Sequence, residues 1–539
     1  MLRRVALLIG LVGVLSLAAA CGGGDDSSSE QETGTGGQAA ATQAAATQQA
    51  TNIERGGTLR IAMELNPQRF DPKVYTDVYS GDVVNTVFDT LMVNDENLTP
   101  QPWLAEKIDR PDDITFVFTL RQGVKFHDGT EMDAEAVKFS MDRIREYPAG
   151  PTYADSQWVA DTTVLDKYTI KVTLKEPFAP FLSVMAGRLG IVVSPTAVRT
   201  MGDEQFALKP VGTGAYKFVE WQNDNFVRVV RNESYWKQGA DGKPLPYLDG
   251  IEWKIMTEPT SRLTALQAGD VDMIRAGAVR DPDLPIVRSD PNLVYEQKPG
   301  FNWGALLLTT TKPPFDNKAL RQAVQNALDR EEINRAIYEG NAFPAMGPLP
   351  TPMEWARDPS FNGYDPSKVK QYLAEGGRPS GFEFTAYFSA GSSQTQQLAE
   401  LMQSQLAKHG IKMNIEFADF NGVVIPKAKA QEPGAFAIGF SCGPDPDACL
   451  FNRFSSTGSV NYMHFNNPQV DELLKAERNT YDEEGRARLF KQVVPLIVEE
   501  SPAIFTVHTP SRFAGNKKVK GWYLDYHFTR RYAEYWLSE

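Results

Sequence analysis

Cysteine is scarce in this chain. Three stand among 539 residues, at Cys21, Cys442 and Cys449, which excludes a small scaffold held together by many disulfides. Histidine is equally thin, and His127, His409, His464, His508 and His527 are scattered. No Cys or His pair has metal-ligand spacing, so no metal site is expected. Positive charge is in deficit, with 55 Lys and Arg against 68 Asp and Glu and a net charge of -13. That balance argues against nucleic acid as a partner, because phosphate binding needs a basic face. Long apolar runs are absent after residue 20, so no spanning helix is expected in the body of the protein. Catalytic signatures are missing too: there is no Gly-x-Ser-x-Gly, no His-Glu-x-x-His, no phosphate-cradling loop and no EF-hand loop. A dispersed triad would leave no such trace, so a secreted hydrolase stays open as an alternative, but the expectation is no enzyme, no catalytic residues and no cofactor.

What is present begins with Arg3 and Arg4, followed by the apolar run Val5 to Ala20. Residues 1–20 read as a secretory signal. Small residues close it in Leu17-Ala18-Ala19-Ala20-Cys21. This stretch resembles a bacterial lipobox, with Leu17 one place further from the cysteine than usual. The resemblance implies that Cys21 carries a diacylglycerol and becomes the first mature residue; a plain signal with a bystander cysteine is the alternative. Residues 21–52 are Gly, Ala, Ser, Thr and Gln with few apolar side chains, too little to offset the entropy of ordering. They read as a flexible tether from lipid to folded body. The expected location is therefore extracytoplasmic, anchored by lipid at the outer face of the membrane or in the periplasm. In such a place Cys442 and Cys449, with six residues between them, are candidates for one local disulfide; two free buried thiols are the alternative.

The body interleaves strands and helices, which predicts an α/β or mixed class. Thr58 to Met63 alternates like a strand, and Val83 to Leu91 has helical spacing. Phe116, Phe118 and Leu120 share one strand face. Asp133 is placed to cap a helix carrying Val137, Met141 and Ile144. Pro259 and Gly269 bracket another helix. Asp316 is expected to cap the helix that carries Leu320 to Leu328, and Asp329 with Glu332 to form a capping box for the next. Residues 470–498 read as largely helical, interrupted at Pro495.

As strings, several of these segments carry more. Phe118-Thr119-Leu120-Arg121-Gln122-Gly123-Val124-Lys125-Phe126-His127-Asp128-Gly129-Thr130 resembles the signature of the family 5 bacterial extracellular solute-binding proteins, the peptide and nickel group that serves ABC importers. Val211 to Phe218, Asn232 to Trp236, Pro246 to Asp249, Leu263 to Asp272, Pro314 to Asp316 and Ala327 to Arg330 continue the likeness in order. The resemblance implies a two-lobed periplasmic-binding-protein-like fold, of the large three-domain type II form, with a ligand cleft between lobes. Lobe I would take 53–95, 205–302 and the C-terminal return 508–539. An accessory domain, 96–204, would attach to it, and lobe II would take 303–507. Closure would follow hinge logic.

The implied function is capture of a small solute, with a short peptide as the leading ligand, and its delivery to ABC permease subunits by a monomer. An oligosaccharide, an opine-like compound or a nickel chelate are the alternatives within the class, and a receptor for signalling solutes would share the fold. The expected ligand-binding residues are Leu65, Asn66, Phe301, Asn302, Trp303, Phe440, Cys442, Asp445 and Phe505. Peptide-binding relatives carry, in the region of Gly439 to Asp447, a Trp and an Asp that holds the peptide ammonium. Here Phe440 or Cys442 stands for the Trp, and the acid aligns with Cys442 or Gly443. Asp445 is the available substitute; the alternative is that Asp445 and Asp447 shape a turn. The substitution Asp445→Ala is accordingly expected to weaken binding without unfolding the protein. Trp303 could equally belong to the core.

Overall fold

The computed structural model describes residues 53–539 except 96, 346, 352, 354–362 and 524–531. The signal, Cys21 and the tether lie outside the described residues. No helix among the described residues is long and apolar enough to cross a membrane.

A mixed sheet runs through the body. Its order is Lys412–Ala418, Glu383–Ser389, Ala435–Ser441, Leu293–Leu308, Ala503–Asn516, Met273–Ile274, Thr58–Met63, Gly250–Ile255, Phe226–Arg231, Tyr216–Gln222, with Phe343–Pro344 added beside Ala503–Asn516. Thr58–Met63 lies parallel to both its neighbours. Leu59, Ile61, Ala62 and Met63 are all buried there, as expected of a strand covered on both faces.

Two long antiparallel strands, Leu293–Leu308 and Ala503–Asn516, join the two halves of this sheet: Asn302 to Leu308 pair with Ala435–Ser441, and Ala514 and Gly515 with Met273–Ile274. Their first portions pair from Leu293↔Asn516 to Pro299↔Pro510, and their second from Asn302↔Thr509 to Leu307↔Ala503. The ladder is irregular between Pro299 and Asn302. Gly300 sits in that gap because a Cβ there would lie 2.5 Å from the Thr509 carbonyl oxygen.

A second, four-stranded antiparallel sheet takes the order Ala105–Asp109, Thr115–Leu120, Thr169–Leu174, Val159–Asp166. Alternation in Thr115–Leu120 turns Phe116, Phe118 and Leu120 inward, where Phe116 meets Phe181 at 4.9 Å between ring centroids. The helix Ala134–Arg145 adds Val137, Met141 and Ile144 to the same core, and the Asp133 carboxylate caps it by accepting from Ala136 N–H. Buried apolar side chains sort into clusters: one built mainly from 59–88, 191–253 and 513–535, one from 91–192, and two from 301–507.

Several local expectations match in detail. The helix Pro259–Ala268 begins on its proline and ends at Gly269, which takes the left-handed conformation at φ 77°. Others differ. The early helix spans Val78–Val87, started by the Asp77 cap, rather than beginning at Val83. Asn317, not Asp316, caps the helix Lys318–Ala327, accepting from Ala319 and Leu320 N–H. Asp329 caps its helix, but Glu332 accepts from the Gln405 amide instead of returning to the cap, so the box is half formed. The long C-terminal helical region breaks at 479–482, between Pro468–Arg478 and Glu483–Glu500, and the second helix continues through Pro495.

Candidate functional site

The strand Ala435–Ser441 ends in a loop, Cys442 to Asp445, that turns directly into the helix Pro446–Phe454. Every local feature stiffens that turn. Pro446 occupies the first helical position, where its fixed φ fits and its missing N–H costs nothing. The Asp445 carboxylate caps the helix by accepting from Asp447 N–H at 2.9 Å. Cys442 and Cys449 are joined by a disulfide, and Cys442 N–H donates to the Phe301 carbonyl at 3.0 Å. The Arg453 guanidinium, buried and with its pKa pushed down to about 10 by that burial, donates to the carbonyls of Ser441 and Ala448.

This loop forms one wall of a cavity of about 590 Å³, a size suited to a small solute. The facing wall is built from Tyr75 to Val93, Trp103, Pro151, Asp155, Pro180 to Ile191, Tyr235 to Leu245 and Tyr532 to Glu534. To one side the two walls are joined by direct contacts. Ala179 N–H donates to the Arg478 carbonyl at 2.7 Å. The Tyr481 hydroxyl accepts from Phe178 N–H at 3.1 Å and donates to the Asp113 carbonyl at 2.6 Å. The Arg478 guanidinium lies over the rings of Phe451, Trp158 and Phe178, and Arg110 covers Tyr481 at 3.7 Å.

Most charge on the cavity wall is neutralised by the protein. Asp89 accepts from the Trp103 and Trp236 indoles, the Tyr235 hydroxyl and the Thr213 hydroxyl at 2.8–3.1 Å; burial pushes its pKa up. Lys237 pairs with Glu534 at 2.8 Å and lies over the Trp103 ring. Asp77 takes the N–H and hydroxyl of Ser80. Asp445 receives two hydrogen bonds from Arg486, at 2.7 and 2.8 Å, and Asp447 receives two from Arg478. Glu477, fully buried, shares Arg486. Burial beside Asp447 pushes Glu477 well above the usual carboxylate range.

The expected site residues separate accordingly. Cys442 and Asp445 line the cavity. Phe301, Trp303 and Phe505 do not; they are 3%, 1% and 1% exposed and form the core beneath the loop. Trp303 packs on Phe440 at 5.0 Å and Phe505 at 5.1 Å, so truncating it would cost about 3–5 kcal/mol in packing. Phe440 is half-buried between Trp303 and Tyr462. Asn302 is exposed, and Leu65, 52% exposed, also lies away from the cavity lining. Asn66 exchanges hydrogen bonds with Asp224. Asp445 is near the cavity, yet its oxygens serve the helix cap and Arg486, so the turn-shaping role is the one the geometry supports. Asp155, Arg188 and Asn85 line the cavity and were not singled out from the sequence; they sit in no motif, and nothing in their neighbours marks them.

Among known proteins, the description "Bacterial extracellular solute-binding proteins, family 5 Middle" matches residues 99–461. The glutathione-binding protein GsiB of Salmonella paratyphi A is 31% identical over 475 residues, covering 86% of this chain and 91% of that protein. The ABC transporter-associated periplasmic binding protein DppA of Helicobacter pylori, solved with the peptide STSA, matches with a TM-score of 0.77 at 26% identity, over 91% of this chain and 99% of that one. The binding protein AgaA of A. tumefaciens, solved with agropinic acid, matches with a TM-score of 0.74 at 26% identity, over 90% and 99% of the two chains.

Proposed function

We propose that this chain, which belongs to the bacterial extracellular solute-binding proteins of family 5, is the lipid-anchored substrate-binding component of an ABC importer. It captures a small solute in the cavity between its lobes and hands it intact to permease subunits. The observation that carries this reading is the cavity of about 590 Å³ whose two walls come from segments far apart in sequence. The residues around Pro299 to Phe301 and Pro510, where the ladder of the two long strands is irregular, are suited to act as the hinge. The lobes then follow 53–95, 205–302 and 508–539 on one side and 303–507 on the other, with 96–204 as the accessory domain. The contacts of Arg478 and Tyr481 with that domain hold the walls together.

The ligand class we favour is a short peptide or a peptide-like amino-acid derivative. A peptide is named for the DppA structure, glutathione for GsiB and agropinic acid for AgaA. Asp445 is committed to Arg486, so the ligand's charged end is met elsewhere on the wall. Export and anchoring rest on Arg3, Arg4, the apolar run to Ala20 and Cys21.

Native mass spectrometry of the protein purified from its host tests the reading. An intact small solute is expected to leave with the protein, and adding it back should raise the melting temperature; at a hundred times Kd the gain is about 2.7 kcal/mol. Conversion of the solute into a product overturns the reading. Metabolic labelling with palmitate should mark the chain and be lost in Cys21→Ala.

A further inference from the structure

We propose that Asp155 and Arg188 together read the charged end of the ligand, Asp155 holding an ammonium and Arg188 a carboxylate borne on the same carbon: an α-amino-acid head. The inference rests on the solute-binding reading above and gives it a ligand chemistry.

Asp155 and Arg188 are what internal pairing leaves over. Asp77, Asp89, Asp445, Asp447 and the Lys237–Glu534 pair all have protein partners. Among the described residues, Asp155 and Arg188 are the remaining charged residues of the cavity lining. Asp155 sits in the single turn Tyr153–Ser156, with no donor on its carboxylate among the described residues; burial lifts its pKa to about 6, opposed by the charge of Arg188. Arg188 makes its contacts with Tyr75: it lies over that ring at 4.7 Å, donates to the Tyr75 carbonyl at 3.4 Å and reaches the Tyr75 hydroxyl. No acid approaches its guanidinium to ion-pair distance among the described residues, so most of its five N–H donors are unused.

Asn85 is a second, independent sign. Its amide nitrogen is buried, lines the same wall and has no acceptor. Leaving a buried donor or an acid without a partner is costly, and an occupant with matching groups removes that cost.

Two opposite charges left without an ion pair in one cavity set the chemistry. Asp155 and Arg188 both line it, and no ion pair joins them among the described residues. A group bearing ammonium and carboxylate on one carbon offers each its counter-charge. An ordinary linear peptide carries those charges at opposite ends. A γ-linked peptide or another amino-acid conjugate attached through its side chain carries both on one head. The Asn85 amide then meets a carbonyl or carboxylate of the same ligand.

Calorimetric titration of the detergent-solubilised chain with γ-glutamylglycine, its N-acetyl derivative and alanylalanine tests this. γ-Glutamylglycine should bind at least tenfold tighter than either of the others, tenfold being about the worth of one charged hydrogen bond. Asp155→Asn should weaken γ-glutamylglycine at least tenfold and the N-acetyl derivative less than twofold. Arg188→Gln should weaken both, and melting curves confirm that each variant is folded. Asp155→Asn binding γ-glutamylglycine within twofold of wild type overturns the inference, as does tighter binding of alanylalanine or no binding of γ-glutamylglycine by the wild type. If native mass spectrometry still finds an intact solute in the protein, only this inference falls; if the solute is turned over, the importer reading falls with it.

Discussion

Asp445 and Asp155 face one cavity from different walls, and the protein treats them in opposite ways. Asp445 caps a helix, accepts two hydrogen bonds from Arg486 and belongs to a buried cluster with Glu477, Asp447 and Arg478. Asp155 is held by a single helical turn and has no donor of its own. The first acid gives the loop its shape. The second is left for whatever enters. An acid beside a cavity is thus not by itself a ligand group; what decides is whether the protein has already used its lone pairs.

The cluster around Asp445 is where the comparison is most exposed to failure. It holds three acids and two arginines, and burial beside Asp447 pushes Glu477 well above the usual carboxylate range. Arg486→Met leaves Asp445 buried without its cation and should cost about 3–5 kcal/mol. Asp445→Ala should cost less, because Arg486 keeps its pair with Glu477. Urea unfolding measures both losses. This reverses the expectation that Asp445→Ala acts on binding alone: stability falls, while preference for a free α-amino group over its N-acetyl form stays. Loss of that preference in a folded Asp445→Ala protein would return Asp445 to the ligand.

The disulfide offers a milder test on the same wall. Cys442 and Cys449 are seven positions apart, and closing so short a loop contributes about 2–3 kcal/mol in the chain-entropy account. The double substitution Cys442→Ser and Cys449→Ser should lower stability by that amount, read again in urea. Calorimetry should show all ligands weakened alike, because the wall loosens but the charge readers on the other wall are untouched.

The motifs in the sequence were legible because they build the frame behind the cavity. His127 N–H donates to the Gly212 carbonyl, and its Nε2 lies 2.9 Å from the Gly214 carbonyl oxygen. A carbonyl only accepts, so Nε2 carries the proton, and burial pushes this imidazole's pKa down to about 4. A Cβ on Gly214 would stand 2.5 Å from the Thr86 carbonyl oxygen, which explains the glycine. Tyr235 and Trp236 close on Asp89. These are contacts between distant segments that recur as strings. The Asp445-Pro446 step was also readable, as a helix cap followed by proline. Asp155 and Arg188 had no such string. A four-residue turn has no periodicity to detect, and their meaning depends on which neighbours fail to pair with them, a property of the folded molecule alone. Phe301, Trp303 and Phe505 misled for the opposite reason: aromatic residues at the lobe crossings serve a core as readily as a pocket wall.

The smallest expected effect is also the most specific to Asp155. Burial raises its carboxyl to about 6 from 3.8, so the folded state holds a proton that the unfolded chain releases. The stabilising contribution of that proton is complete below about 3.8 and is lost as pH rises through about 6. Asp155→Asn should therefore leave the empty protein no less stable than wild type at pH 7.5, with a flatter profile between pH 4 and 7. Binding runs the other way. An ammonium needs the ionised carboxylate, so affinity for γ-glutamylglycine should fall as pH drops from 7.5 to 5 in wild type and change little in Asp155→Asn. The groups around Asp155 do not supply a competing transition. Tyr75 is pushed above its ordinary value by burial, and Asp77 is tied to Ser80. Among the described residues no histidine lines the cavity. A wild-type affinity that is flat from pH 5 to 7.5 would place the ligand's ammonium away from Asp155 and erase the difference between the two acids.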